Sequence, residues 1–250
     1  MSAAEKSDLA GRICVVTGAT RGIGRSAALE AARRGAHVIA LGRTAGALEE
    51  LDDEIAALGG TSTLVAFDLT DREAIDRLGA TIYERWGRLD ALIGNAGLLG
   101  HITPVAHIVP EQWDKVIAVN VTANYRLVRS LDPVLRQSDA GRVVFVTSGA
   151  ADTCKPFWGL YALSKSALNT LARTYAAETT STPIRVNLFS PGATRTRMRA
   201  DAVPGEDPMS IPHPDTIAPA LVDLISPDCS QSARLFDYRK GRFLDYALPD

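Results

Sequence analysis

The chain has 250 residues, 46% of them hydrophobic and 22% charged, which suits one α/β domain with a sizeable buried core. Its formal net charge is −2 and its Lys and Arg residues are scattered, so no basic tail or block points to nucleic acid. No run approaches the ~18 consecutive apolar residues of a membrane span, and the opening MSAAEKSDLAG has no leader-like apolar core.

Cys14, Cys154 and Cys229 form no CxxC pair and no disulfide framework, so a reducing, cytoplasmic setting is expected, with no metal site. His101 and His107 lack carboxylate partners at ligand spacing and read as surface or packing residues.

Residues 12–17 read as a short buried strand, and residues 22–34 carry small and apolar side chains at helical spacing. Residues 37–41 form a second apolar strand, and a helix over 46–58 stops at Gly59-Gly60. The alternation continues with strands at 63–67, 89–93, 142–147 and 184–189. Helices are predicted at 71–86, 110–135, 161–178 and 216–225. Nearly all-apolar strands separated by amphipathic helices imply a parallel sheet covered on both faces. The polar, proline-rich stretch 197–214 reads as a substrate lid, since loops at the carboxyl ends of such strands build the crevice.

Thr17-Gly18-Ala19-Thr20-Arg21-Gly22-Ile23-Gly24 closes the first strand and opens the first helix. Glycines there allow a tight turn and close approach of a pyrophosphate to a helix N-terminus. The second strand ends Leu41-Gly42-Arg43-Thr44, without the carboxylate that would accept from the adenosine ribose of NAD(H). Gly42 leaves room, and Arg43, with Arg21, supplies planar cations for a phosphate, which favours NADP(H).

Thr147-Ser148 ends an apolar strand; Tyr161 follows thirteen residues later, and Lys165 stands at i+4 on the same helical face. A phenol with a pKa near 10 is a poor proton carrier at neutrality. A lysine cation beside it is expected to lower that value, while Ser148 stabilises charge developing on the substrate oxygen. Asn120 interrupts an apolar helical stretch and needs a partner if buried. The small residues of the Tyr161 helix permit close packing against the sheet or a second subunit.

Taken together, these residues resemble the short-chain dehydrogenase/reductase family over almost the whole chain. The carriers are the TGxxxGxG turn, Gly94-Asn95-Ala96-Gly97 in place of NNAG, and the set Asn120, Ser148, Tyr161, Lys165. Pro191-Gly192 with Thr196 completes the pattern. More narrowly, residues 92–100, 190–200 and 206–208 resemble a bacterial, YciK-type branch of general oxidoreductases.

The resemblance implies a single Rossmann-type domain with a mostly parallel, seven-stranded sheet flanked by helices on both faces. It implies interconversion of a carbonyl and a secondary alcohol by hydride transfer, with Tyr161 as acid and base. Cofactor contacts are implied for Gly18, Thr20, Arg21, Gly22, Ile23, Gly24 and Arg43. Asp68 and Leu69 would bracket the adenine, and Asn95, Ala96 and Gly97 would line the adenosine side. Lys165 would bind the nicotinamide ribose beside Tyr161. Pro191, Gly192, Thr194 and Thr196 would hold the carboxamide. Asn120 would hold a water linking Lys165 to solvent. A homodimer or homotetramer through the helices containing Asn120 and Tyr161 is implied as well.

Two departures stand out. Gly94 replaces the first asparagine of NNAG, where a sheet-edge adjustment is expected, and residues 234–243 lack the family's double-glycine ending, which favours a dimer. For substrate, Ser148, Cys154, Phe157, Trp158 and Tyr161 are expected around the crevice, the aromatics offering apolar area to a ketone or alcohol. A 3-oxoacyl thioester is the rival substrate, favoured if Arg195, Arg197 and Arg199 form a basic patch. A cofactor-binding regulator with little turnover is the rival class, opposed by the complete set of four residues.

Overall fold

The structure, a computed structural model, describes residues 7–245. Residues 1–6 of the segment read as lacking a leader lie outside the described residues. The polar opening therefore bears only on the sequence.

Strand β1 (Ile13–Thr17) is buried along its whole length, which is why it reads as unbroken apolar sequence instead of alternating. It lies between β2 (His37–Gly42) and β4 (Ala91–Gly94), with β3 (Thr61–Ala66) outside β2. On the other side follow β5 (Arg142–Val146), β6 (Arg185–Ser190), β7 (Leu235–Asp237) and β8 (Arg242–Leu244). The order is β3-β2-β1-β4-β5-β6-β7-β8, parallel through β7, with β8 antiparallel. The sheet therefore has eight strands among the described residues, not the seven expected from the resemblance.

The added strand comes from the C-terminal run. Residues 238–241 turn the chain back with Gly241 at φ 62°, so that Phe243 packs edge-on against Phe236 at 5.2 Å. Phe236 in turn stacks on Phe189 of β6 at 6.0 Å. An aromatic stack closes this edge, and no double glycine is needed.

Helices α1 (Gly22–Arg33), α2 (Ala45–Ala57) and α9 (Pro214–Asp223) cover one face of the sheet. Helices α3 (Arg72–Trp86), α5 (Ala123–Leu135) and α7 (Gly159–Glu178) cover the other. Asp71 caps α3 by accepting from Ala74 N at 3.0 Å, and Gly87 ends it at φ 71°. The helix expected over 110–135 is α4 (Pro110–Ile117) and α5 joined by a π turn at residues 118–122, with Asn120 at its centre. Such turns widen a helix by one residue and recur at functional sites.

At the amino ends of the strands, fully buried Asp90 accepts from Ile13 N (2.8 Å), Ser138 Oγ (2.6 Å) and Arg88 Nε (3.1 Å). This anchors β1 to β4. The chain leaves β1 and β4 in opposite directions, so the crevice between their carboxyl ends is the natural binding site.

Candidate active site

The crevice is a cavity of about 1140 Å³, large enough for a dinucleotide with a small substrate. Its floor is the glycine turn. A Cβ on Gly18 would stand 3.1 Å from both Ala96 Cα and Asn95 Nδ2, and one on Gly24 would overlap Asn95 and the Gly18 carbonyl. Thr17 Oγ1 accepts from the backbone N–H of Asn95 and Ala96, both at 3.0 Å, while Asn95 Nδ2 donates to Thr17 O at 2.9 Å. The loops after β1 and β4 are thus stapled together.

Gly18, Thr20, Arg21, Gly22 and Ile23 line the cavity, whereas Gly24 lies beneath the turn. Asn95, Ala96 and Gly97 line the opposite wall, with Arg43, Asp68 and Leu69 at one end. Arg43 Nη1 lies 3.4 Å from Asp68 Oδ2, and Asp68 Oδ1 accepts from Thr70 N and Oγ1 at 2.9 and 2.8 Å. Burial pulls the Asp68 carboxyl up, but Thr70 and Arg43 outweigh it and hold the group below its ordinary value.

Ser148, Tyr161 and Lys165 come together at the other end. The junction of β5 and α7 is braced where Thr147 Oγ1 donates to Asn169 Oδ1 at 2.5 Å. Lys165 Nζ donates to Val146 O at 2.8 Å and lies 5.8 Å from the Tyr161 ring centroid. Burial lowers the Lys165 ammonium to about 8. Burial likewise pushes the Tyr161 phenol up to about 12, opposed by its hydrogen bond with Ser148. The expected lowering of Tyr161 by the lysine cation is therefore not what this geometry produces. Both groups are withdrawn from water, and burial is the first cause of each shift.

Asn120 does not line the cavity. It is fully buried behind the wall, accepting from Leu98 N (2.7 Å) and donating to Leu98 O and Ser164 Oγ (both 2.9 Å). Its side chain therefore fixes the strand-end segment after Gly97 to the helix that carries Lys165. Ser164, which completes that link, has no signal in sequence, because it stands 44 residues from Asn120.

Pro191, Gly192, Thr194 and Thr196 line the wall after β6. Thr194 Oγ1 is buried and without a hydrogen-bond partner among the described residues. An unpaired buried hydroxyl is costly and calls for a ligand. Together with the glycine floor, it is what a nicotinamide dinucleotide site requires, and the residues present fit that group.

Trp158 lines the cavity beside Tyr161 and meets it edge-on at 6.2 Å. Cys154 and Phe157 do not: both are exposed, with φ of 44° and 72°, and lie outside the lining. Cys154 ends the short helix α6 (Ala150–Thr153) in the left-handed region, and neither residue stands in the cavity lining where the sequence placed it. Among the described residues no group of three or more His, Cys, Asp or Glu could hold a metal, and His101 and His107 are exposed.

The stretch 197–214 begins with α8 (Arg197–Ala202), capped by Thr196 Oγ1 accepting from Arg199 N at 3.2 Å. Arg199 grips Glu206 with two bonds of 2.6 Å, and Arg195 Nε donates to Pro208 O at 2.7 Å. All three alternating arginines line the cavity, and two of them, Arg195 and Arg199, also hold the segment's own fold.

A short chain dehydrogenase family model matches residues 12–207. The chain is a member of the short-chain dehydrogenase family. The oxidoreductase YciK of Escherichia coli strain K12 is 39% identical over 235 residues, covering 92% of this chain and 93% of that protein. A crystal structure of a short chain dehydrogenase from Escherichia coli CFT073 complexed with NADPH superposes with a TM-score of 0.89 at 38% identity. It covers 93% of this chain and 98% of that one. One from Shigella flexneri 2a strain 301 complexed with NADP gives 0.90 at 37%, over 94% and 99%. The chain is thus an oxidoreductase dependent on a nicotinamide cofactor, and its relatives include the YciK type.

Within this dehydrogenase the two departures have structural reasons. Gly94 sits in the middle of the sheet between β1 and β5, not at an edge. A Cβ there would overlap the ring of Phe145 and stand 3.0 Å from Asn124 Oδ1, so those two side chains fill the space. The C-terminal hairpin reaches the site as well. The stem of Arg239 covers Gly192, where a Cβ would come within 2.7 Å of it. The dehydrogenase also exposes to its cavity Glu111, Asp114 and Lys115 of α4, which sequence reasoning missed. Their i, i+3, i+4 spacing does put them on one helix face, but nothing in it says that face overlooks a cavity.

Proposed function

We propose that this dehydrogenase interconverts a carbonyl and a secondary alcohol with NADP(H), using Tyr161 as the acid and base. The single observation that carries the reading is one cavity shared by two assemblies. At one end are the glycine turn and Arg43, and at the other are Ser148, Tyr161 and Lys165. When bound, the cofactor supplies the hydride to the carbonyl carbon or takes it from the alcohol.

The protein's own residues do the rest. Ser148 donates to the substrate oxygen and stabilises the charge that grows there. Tyr161, held protonated by burial, gives its proton to that oxygen in reduction and takes it back in oxidation. Lys165 holds the ribose side and faces Tyr161, and Asn120 ties the Leu98 segment to α7. Arg43, together with Arg21, receives the 2′-phosphate, and the two relatives with bound NADPH and NADP support this choice. Asp68 and Leu69 bracket the adenine; Asn95 to Gly97 take the adenosine side; Thr194 and Thr196 take the carboxamide. Residues 197–214 act as the substrate lid, with Trp158 offering the apolar wall.

A 3-oxoacyl thioester is the second reading, since Arg195, Arg197 and Arg199 all line the cavity, although Arg199 is paired with Glu206. The screen that discriminates offers ketones, steroids, sugars and acyl thioesters with NADPH and with NADH. In Tyr161→Phe, hydride transfer falls by about 10³-fold or more, as for loss of a general acid, while NADPH still binds. Full activity in that variant overturns the assignment.

A further inference from the structure

We infer that Asn124, outside the four family residues, is a positioning residue that holds the backbone of Asn120. This rests on the reading of Asn120 as part of the proton-transfer assembly. Asn124 is 3% exposed, one turn after Asn120 on the same helix, and its Nδ2 donates to the Asn120 main-chain carbonyl at 2.9 Å.

A buried asparagine in the middle of a helix is disfavoured unless its amide has partners, so its presence calls for a reason. The backbone it grips is the π turn 118–122, where Ala123 N reaches back to Ala118 O and the regular ladder is interrupted. Carbonyls in such turns take side-chain or water partners. The Asn120 carbonyl is the one that Asn124 takes.

Gly94 leaves the room for this. With any side chain at 94, the Asn124 amide and the Phe145 ring could not both keep their places, since a Cβ there already overlaps the ring and meets Asn124 Oδ1 at 3.0 Å. The glycine in β4 and the asparagine in α5 are therefore two halves of one arrangement. Through it the orientation of Asn120 is passed on to the backbone of Leu98 and to Ser164, next to Lys165 in the chain.

The test compares two substitutions that packing and hydrogen bonding rank in opposite orders. Asn124→Leu keeps the approximate shape and removes the amide. Asn124→Ala opens a space in which a water can donate to the carbonyl. Turnover of 9,10-phenanthrenequinone, a reactive aromatic dicarbonyl, is followed with NADPH, alongside Tm, NADPH affinity and the pH profile of kcat.

The expected result is that Asn124→Leu lowers kcat about tenfold, as an unsatisfied buried carbonyl would, and shifts the pH profile. KM and NADPH Kd should stay within about twofold, a bound set by the absence of direct contacts. Asn124→Ala should lose less. If Asn124→Leu does not fold, Asn124→Val against Asn124→Ser makes the same comparison. The inference is overturned if the folded apolar variant keeps the wild-type kcat and pH profile while Asn120→Ala has lost turnover, or if the smaller variant is the worse of the two. Full turnover in Asn120→Ala would instead overturn the reading of Asn120 itself.

Discussion

Arg43 and Asp68 face each other at one end of the cavity, and the pair is exposed enough that water screens much of their attraction. Arg43 can therefore leave Asp68 for a phosphate at little cost, and a divalent anion repays the exchange with charge-assisted hydrogen bonds. Arg43→Ala should weaken NADPH about 10- to 100-fold, as for loss of a charged partner worth ~1.5–3 kcal/mol, and leave NADH nearly unchanged. Fluorescence titration with both cofactors checks this, and equal losses for the two would remove Arg43 from the phosphate site. Lys165 carries a prediction about pH. Its folded-state value of about 8 lies below the ordinary lysine value of 10.5 because it is desolvated. Between those values the unfolded chain binds more protons than the folded one, so this residue makes stability rise with pH from about 8 to 10.5. Below that window its buried charge is a constant cost. Urea midpoints of wild type and Lys165→Met over this range should converge or diverge by that slope, and parallel curves would contradict it. Tyr161 acts oppositely: its raised value makes stability fall as pH climbs above 10 toward about 12.

At the scale of elements, β1, α1 and β2 follow from local pattern, because apolar runs, small helical faces and glycine punctuation act within a few residues. The π turn did not: residues 110–135 read as one helix, since widening by a residue leaves the apolar periodicity almost intact. The C-terminal hairpin was also hidden, because β7 and β8 are three residues each and are held by an aromatic chain from Phe189 of β6 through Phe236 to Phe243. The stretch 197–214 owes its shape to Arg199 and Glu206, which lie seven residues apart. Both side chains are partly exposed, at 28% and 24%, so breaking the pair should cost little global stability. Arg199→Met is expected to raise substrate KM severalfold and move Tm by only a few degrees, on the order of the ~4 °C per kcal/mol of a chain this long. Kinetics with any accepted ketone, beside a thermal melt, distinguish this from a role in the core. Unchanged KM would mean the segment does not cover substrate.

At the scale of the molecule, α7 buries Leu168, Ala172 and Ala176 against the sheet but leaves Leu163 45% exposed, and α5 leaves Tyr125 50% exposed. One helix thus serves the core with one face and offers apolar area with another, which the small residues of its sequence allow without choosing between them. The reading of this surface as a subunit interface predicts a solution mass of about twice the 26.7 kDa of the chain. Light scattering should find that dimer, and Tyr125→Asp should dissociate it by placing a charge in an apolar contact; a monomeric wild type would dismiss the interface. No helix among the described residues is long and apolar enough to cross a membrane.

By itself the sequence determined the alternation of strands and helices from β1 to β6, the glycine turn, and the spacing of Ser148, Tyr161 and Lys165, since each is written in neighbours a few residues apart. It also indicated the cofactor, through an absent carboxylate beside Arg43. Only the tertiary structure decided which side chains desolvation would govern, because burial of Tyr161 and Lys165 depends on elements far away in the chain. It alone left Cys154 and Phe157 outside the cavity lining and brought Glu111, Asp114 and Lys115 into it. It also set Gly94 beside Phe145 and Asn124, a relation between residues up to 51 positions apart that no local pattern encodes.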